Sequence, residues 1–195
     1  MKSGLTVVKL GGSHALSPLL RGWLDAISRG ACDVVVVPGG GPFADSVRTA
    51  QPAMGFDDDA AHDMAMMAMA QYGRALVSLT DRFVYAETLE AVRDAVACRT
   101  IPVWSPWPGL RAHPDIPRSW DVTSDSLAVW LADALNAWRV VLIKHRAAVP
   151  GADDDLVDAA FPGFVERFRG DIVIVGPDDL ASADALFGAD SAVGA

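Results

Sequence analysis

The chain has 195 residues, 51% of them hydrophobic, which is enough for a single domain over 1–195 with a substantial core and little room for disorder. A net charge of −9 and a pI near 4.7 argue against a nucleic-acid partner, whose phosphates need a basic stripe. No apolar run approaches the roughly 18 residues of a membrane span, and the start lacks the long apolar region of a signal peptide, so no membrane partner is expected and the expected address is cytoplasmic.

The chain opens with a strand at Thr6 to Leu10, followed by Gly11-Gly12-Ser13 and a helix near Pro18 to Ser28. A second strand at Asp33 to Val37 runs into Pro38-Gly39-Gly40-Gly41-Pro42 and another helix. Both strands are β-branched and apolar without alternation, the pattern of strands covered on both faces of a parallel sheet. Asp57-Asp58-Asp59 starts a long helix through about Leu79, its carboxylates standing where a helix N-terminus favours negative charge. Between Ala60 and Ala70 only His62 and Asp63 are polar. Met64, Met66, Met67 and Met69 then need cover from the core or from a second subunit, and a homodimer or higher homo-oligomer is the expected assembly.

A helix at Glu87 to Cys98 precedes a strand at Ile101 to Trp104, and Ser105 to Trp120, with its four prolines, reads as an ordered loop. Thr123-Ser124-Asp125 begins a helix to about Ala137, and a strand follows at Arg139 to Ile143. Two short helices within Asp153 to Phe168, a strand at Asp171 to Val175 and a helix from Pro177 complete the chain. Such alternation predicts the α/β class, with a mainly parallel sheet and right-handed crossovers. Ligands of such sheets bind beyond the carboxyl ends of the strands, where Lys9, the Gly39 triplet and Lys144 all fall.

Only three lysines occur against thirteen arginines, and Lys9 and Lys144 each end an apolar run. Desolvating an ammonium costs several kcal/mol unless an anion compensates, so this pair points to a bound anion. Gly11-Gly12-Ser13 and Gly39-Gly40-Gly41 let backbone amides approach phosphates, the second with a helix behind it; each could equally be a tight strand exit. Thr123, Ser124 and Asp125 suit helix capping, or Asp125 holds the two lysines charged and aimed. No GxxxxGK[ST] or complete dinucleotide fingerprint occurs.

Cys32 and Cys98 lack metal or redox spacing and are expected to be small buried hydrophobes. The four histidines show no ligand spacing, so no metal site is expected. His62 reads as a satisfied buried histidine, Asp153-Asp154-Asp155 as a solvated helix start rather than a magnesium site, and Trp120 and Asp121 either as packing or as groups facing a cationic or ring-bearing substrate.

The order Val8-Lys9-Leu10-Gly11-Gly12-Ser13, Val37-Pro38-Gly39-Gly40-Gly41, Thr123-Ser124-Asp125 and Leu142-Ile143-Lys144 resembles the amino acid kinase family over roughly residues 5 to 150. The resemblance implies a three-layer αβα sandwich about a mainly parallel eight-stranded sheet, with ATP phosphorylating a carboxylate, carbamate or phosphate oxygen. It makes Lys9 and Lys144 the phosphate-clamping lysines and Asp125 the aspartate that organises them. Gly11, Gly12, Ser13, Gly40, Gly41 and Ser124 become the phosphate-binding set, and Mg²⁺ is expected to bridge the nucleotide phosphates.

Within the family, His62 to Gly73 and Trp120 to Ala128 look like the branch that phosphorylates an aminomethylfuran-methyl phosphate in methanofuran synthesis. Gly39, Asp45, Trp120 and Asp121 then fall on the acceptor side, Asp45 or Asp121 meeting the amine and Trp120 the ring. Two departures stand out. Uridylate kinases carry an arginine where this chain has Asp45, which disfavours uridylate; and His145-Arg146-Ala147-Ala148-Val149-Pro150-Gly151 replaces the usual nucleotide-binding turn. The competing readings are a carboxylate or carbamate acceptor, and a non-enzymatic store of molybdate or tungstate.

Overall fold

A computed structural model describes residues 4–30, 33–148 and 156–188; Cys32 and the Asp153–Asp155 run lie outside the described residues. Six strands, β1 (Thr6–Leu10), β2 (Val34–Pro38), β3 (Phe83–Ala86), β4 (Ile101–Trp104), β5 (Arg139–Ile143) and β6 (Asp171–Val175), form one sheet in the order β3-β4-β2-β1-β5-β6. Every pairing is parallel. The described residues thus contain six strands where the family resemblance implied eight.

From β1 the chain moves outward to β2, β3 and β4, then returns across the sheet to place β5 on the other side of β1. In such a sheet the crevice opens at this reversal, beyond the carboxyl ends of the two diverging strands. Those ends are Lys9-Leu10 and Ile143-Lys144. Lys9 pairs in register with Leu142, and Lys144 stands two residues beyond Leu142. Because side chains alternate faces along a strand, both lysines project on one face.

That face, with Val7, Val35, Val37, Val140 and Leu142, packs against α5 (Ser124–Ala134), α6 (Phe161–Val165) and Met66 and Met69 of α3 (Asp58–Val77). The opposite face, with Val8, Leu10, Val36, Val141 and Ile143, packs against α1 (Leu20–Arg29), α7 (Ala183–Phe187) and Tyr72 and Leu76 at the far end of α3. Covered on both sides, the strands carry none of the polar alternation of a half-exposed sheet. The remaining helices are α2 (Gly41–Met54) and α4 (Leu89–Ala97). No helix among the described residues is long and apolar enough to cross a membrane.

The start of α3 follows the expected capping, with Asp57 Oδ1 accepting from the Ala60 N–H at 2.8 Å. Met66 and Met69 enter the core while Met67 is 37% exposed, so the core encloses two of the four methionines. Strand β3 was absent from the sequence reading, because four residues between a polar turn and a helix present no period. The helix expected from Pro177 begins as a 3-10 turn, Pro177–Ser182, and becomes α-helical only at α7. Cys98, expected to be buried, is exposed. It sits at the C-terminal cap of α4, a helix whose one fully buried residue is Val92.

Candidate active site

Helix α5 lies over β1 and β5, with its first turn above the two strand ends. From there Asp125 meets both lysines: Oδ1 pairs with Lys9 Nζ at 2.9 Å, and Oδ2 accepts a hydrogen bond from Lys144 Nζ at 2.6 Å. All three residues are at least nine-tenths buried. Among the described residues the two ammonium groups share this one carboxylate, which leaves the cluster a net positive charge in a place where charge is expensive. Such a cluster has the charge to take an anion.

Burial lowers the Lys144 pKa to about 8, with the neighbouring Lys9 charge adding to the shift and Asp125 opposing it. Burial alone would raise Asp125, but the charges of Lys9 and Lys144 outweigh it and hold the carboxyl below its usual range. Burial likewise lowers His14, the Lys144 carbonyl opposing and Lys9 assisting, so this imidazole adds no third cation beneath the pair.

If Lys144 binds nucleotide phosphates, as the family resemblance implies, its loss of charge near pH 8 has a kinetic signature. For the free enzyme, kcat/KM for the nucleotide is expected to fall as pH rises through about 8, while the kcat limb lies higher, because bound phosphates favour the ammonium. Measured profiles with no basic limb in kcat/KM would contradict this. The stability sign is opposite: the unfolded chain keeps that proton up to its ordinary 10.5, so Lys144 makes folding more favourable as pH climbs from about 8 toward 10.5.

The capping expected of Thr123, Ser124 and Asp125 is supplied from elsewhere. Thr123 is the N-cap of α5, but its side chain makes no capping bond. Asp158 Oδ2 instead accepts from the Thr123 N–H at 3.0 Å, the Thr123 hydroxyl at 2.8 Å and the Ser126 N–H at 3.0 Å, and its Oδ1 accepts from the Ser126 hydroxyl. Sequence reasoning missed Asp158, which stands 32 residues beyond Ser126 with no local motif to mark it.

The two glycine turns interlock. A Cβ at Gly12 would lie 2.1 Å from Gly41 N, and one at Gly39 would lie 2.3 Å from Gly12 N, distances no side chain survives. Gly41 also has φ +54°, a conformation glycine adopts without strain. The Gly11 N–H donates to Ile143 O at 3.2 Å and the Gly39 N–H to Leu10 O at 2.9 Å, so these two amides tie the turns to the strand ends. Gly12, Ser13, Gly40 and Gly41 line the adjoining cavity.

This cavity, of about 320 Å³, is also lined by Lys9, Ser124 and His145, by an apolar wall including Met66, Met69 and Leu127, and by Asp45, Arg48 and Trp120; its size falls in the range of small-ligand pockets. Arg48, missed in the sequence, pairs with Asp45 at 3.1 Å and lies 4.6 Å above the Trp120 ring. Trp120 Nε1 donates to Gln51 Oε1 at 2.8 Å. Arg118 holds the preceding loop to α3 through Asp59 at 3.0 Å and Asp63 at 2.9 Å.

Asp121 is exposed and lies outside the cavity lining. His62 lines the cavity, but it is only half satisfied: Nδ1 lies 3.3 Å from Ser119 O while buried Nε2 has no partner. Burial lowers its pKa against the opposing Ser119 carbonyl. The described residues hold no cluster of three or more His, Cys, Asp or Glu able to bind a metal ion.

Comparison with known proteins identifies the family and the fold. The pattern of the amino acid kinase family matches residues 4–162. The [5-(aminomethyl)furan-3-yl]methyl phosphate kinase of Methanocaldococcus jannaschii is 26% identical over 159 residues, covering 80% of this chain and 69% of that protein. Among solved structures, the uridylate kinase of Archaeoglobus fulgidus superposes with a TM-score of 0.71 at 16% identity, covering 91% of this chain and 94% of that one. The carbamate kinase of Giardia lamblia bound to AMP-PNP does so at 0.61 and 14%, covering 96% of each chain. A lysine pair on one carboxylate, at the reversal of a parallel sheet and beside paired glycine turns, therefore belongs to a phosphotransferase, and the chain is a member of the amino acid kinase family.

Proposed function

We propose that the protein transfers the γ-phosphoryl group of ATP to a small phosphate monoester, [5-(aminomethyl)furan-3-yl]methyl phosphate, giving the diphosphate and ADP. The observation that carries this reading is the buried pair of ammonium groups on a single carboxylate, one of which, Lys9, opens into the cavity. A phosphate oxygen of the acceptor attacks the γ-phosphorus and the bond to the β,γ-bridging oxygen breaks, bringing two anions together. Charge neutralisation and alignment therefore dominate, and no covalent nucleophile is required.

In this reading Lys9 and Lys144 flank the group in transfer, and Asp125 keeps them apart and charged. Amides of Gly12, Gly40 and Gly41, with the hydroxyls of Ser13 and Ser124, cradle the phosphates of the donor. Mg²⁺ supplies further neutralisation when bound. The residues present fit an ion carried on nucleotide phosphates and water rather than in a protein cage, which is how magnesium is usually held.

On the acceptor side, Asp45 rather than Asp121 is the carboxylate available to the aminomethyl group, since Asp45 lines the cavity. Arg48 offers its guanidinium to the oxygens that are not transferred, and Trp120 offers a face to the furan ring. The M. jannaschii relative supports this choice of acceptor by its name.

Coupled ADP release across a panel of acceptors tests the proposal: the furan phosphate, its analogue lacking the amine, an N-acylated amino acid, carbamate and uridylate. The furan phosphate is expected to turn over best and the analogue to bind much more weakly. Turnover confined to carboxylate or carbamate would replace this acceptor. Purified protein that carries bound metal oxide and turns over no ATP would replace the catalytic reading with storage.

A further inference from the structure

Asp158 lies between β5 and α6, and both of its carboxylate oxygens are occupied by the first turn of α5. One carboxylate takes four donors: the backbone N–H and the hydroxyl of Thr123, and the backbone N–H and the hydroxyl of Ser126. A helix start ordinarily receives this service from its own N-cap side chain. Here the Thr123 hydroxyl donates outward instead, and an acid at the N-terminus also favours the helix dipole. Asp125 sits between the two residues so gripped, its Oδ1 on Lys9 and its Oδ2 on Lys144.

An aspartate in the first turn of a helix competes for the same free amides. With those amides taken by Asp158, the Asp125 carboxylate is left to the lysines. We propose that Asp158 is a positioning residue of the phosphoryl-transfer site: by gripping Thr123 and Ser126 it fixes the direction in which Asp125 presents its oxygens to Lys9 and Lys144. The kinetic part of this inference rests on the lysine pair acting as the clamp. Its main readout needs no acceptor at all.

That readout is the titration of Lys144, followed by NMR of isotope-labelled lysine in the full, ligand-free protein. Lys2, Lys9 and Lys144 are the only lysines, so three signals are assignable with single Lys→Arg variants. Among the described residues, the charged groups acting on the Lys144 ammonium are Lys9 from β1 and Asp125 from α5, while His14, from the turn after β1, meets the Lys144 backbone. Of these, the substitution at Asp158 acts on Asp125.

In wild-type protein Lys144 should titrate near 8. In Asp158→Asn and Asp158→Ala it should titrate at lower pH, since a carboxylate that turns away no longer favours the ammonium. With any acceptor that turns over, kcat should fall about 10- to 100-fold, the size of effect expected from misplacing a catalytic group, and KM for ATP should change less. A Lys144 titration that stays at its wild-type pH in a folded variant overturns the proposal, whether or not kcat falls, because a loss of rate alone is what a merely structural cap would give. Should Asp158→Ala unfold, Asp158→Asn keeps the shape and one acceptor oxygen, and the same two measurements decide. A titration that moves while every acceptor fails leaves the positioning role standing and refutes the acceptor assignment alone.

Discussion

Replacing Lys9 or Lys144 with alanine is expected to slow phosphoryl transfer by roughly 10² to 10³, about 2.7 to 4 kcal/mol of barrier, the usual result of deleting one preorganised charge-stabilising group. Folding should survive each change, because the remaining lysine still pairs with Asp125. The cluster then goes from one excess positive charge to none, losing the imbalance that draws an anion in. The two variants differ in one further respect. Lys9 is among the groups that depress Lys144, so Lys9→Ala should move the residual basic limb upward from about 8, whereas Lys144→Ala should abolish it. Single-turnover rates with native circular dichroism decide the matter, and near wild-type turnover in either variant would end the clamp assignment.

Asp125→Ala is expected to act mainly on the fold. It strands two buried ammonium groups side by side, and breaking a buried pair by removing one partner typically costs about 3 to 5 kcal/mol. Part of that loss should be recoverable. Raising pH lets one lysine shed its proton, and a bound polyphosphate supplies the missing negative charge. Thermal melts with and without ATP should therefore show a larger ligand-induced rise for Asp125→Ala than for wild type, since stabilisation by a ligand grows with its affinity for the folded state. A melting temperature equal to wild type without ligand would show that the lysines do not need this carboxylate.

Much of the fold is legible before any coordinates, for a physical reason. Strands β1, β2 and β5 are buried on both faces and so appear as uninterrupted apolar runs, β6 keeps such a run although it is half-buried at one edge of the sheet, and β4 follows a recognisable helix. Strand β3 sits at the sheet edge, with Val84 and Tyr85 only half-buried, and its four residues leave no such mark. The lysine pair stood out because charge at the end of an apolar strand demands a compensating partner. The parallel register of β1 and β5 brings them onto one face, and α5 delivers the partner.

The groups that hold the site in place were not legible, because they act across long stretches of chain. Asp158 reaches back to the start of α5, and Arg118 ties the Ser105 to Trp120 loop onto α3. Local patterns cannot reveal a hydrogen bond whose acceptor lies thirty residues away. Arg48 was hidden differently: with Asp45 one turn earlier it resembles an ordinary solvated helix pair, and only the fold turns that face toward Trp120.

The interlocked glycine turns bear on how this enzyme can change. With Gly12 seated against Gly41 and Gly39 against Gly12, neither of these two positions can accept a methyl group unless the other turn backs away. Libraries that vary Gly12 or Gly39 alone should return almost nothing but glycine, while libraries that remodel both turns together have room to move. Reshaping this end of the cavity is a two-sided problem, like recutting both halves of a joint.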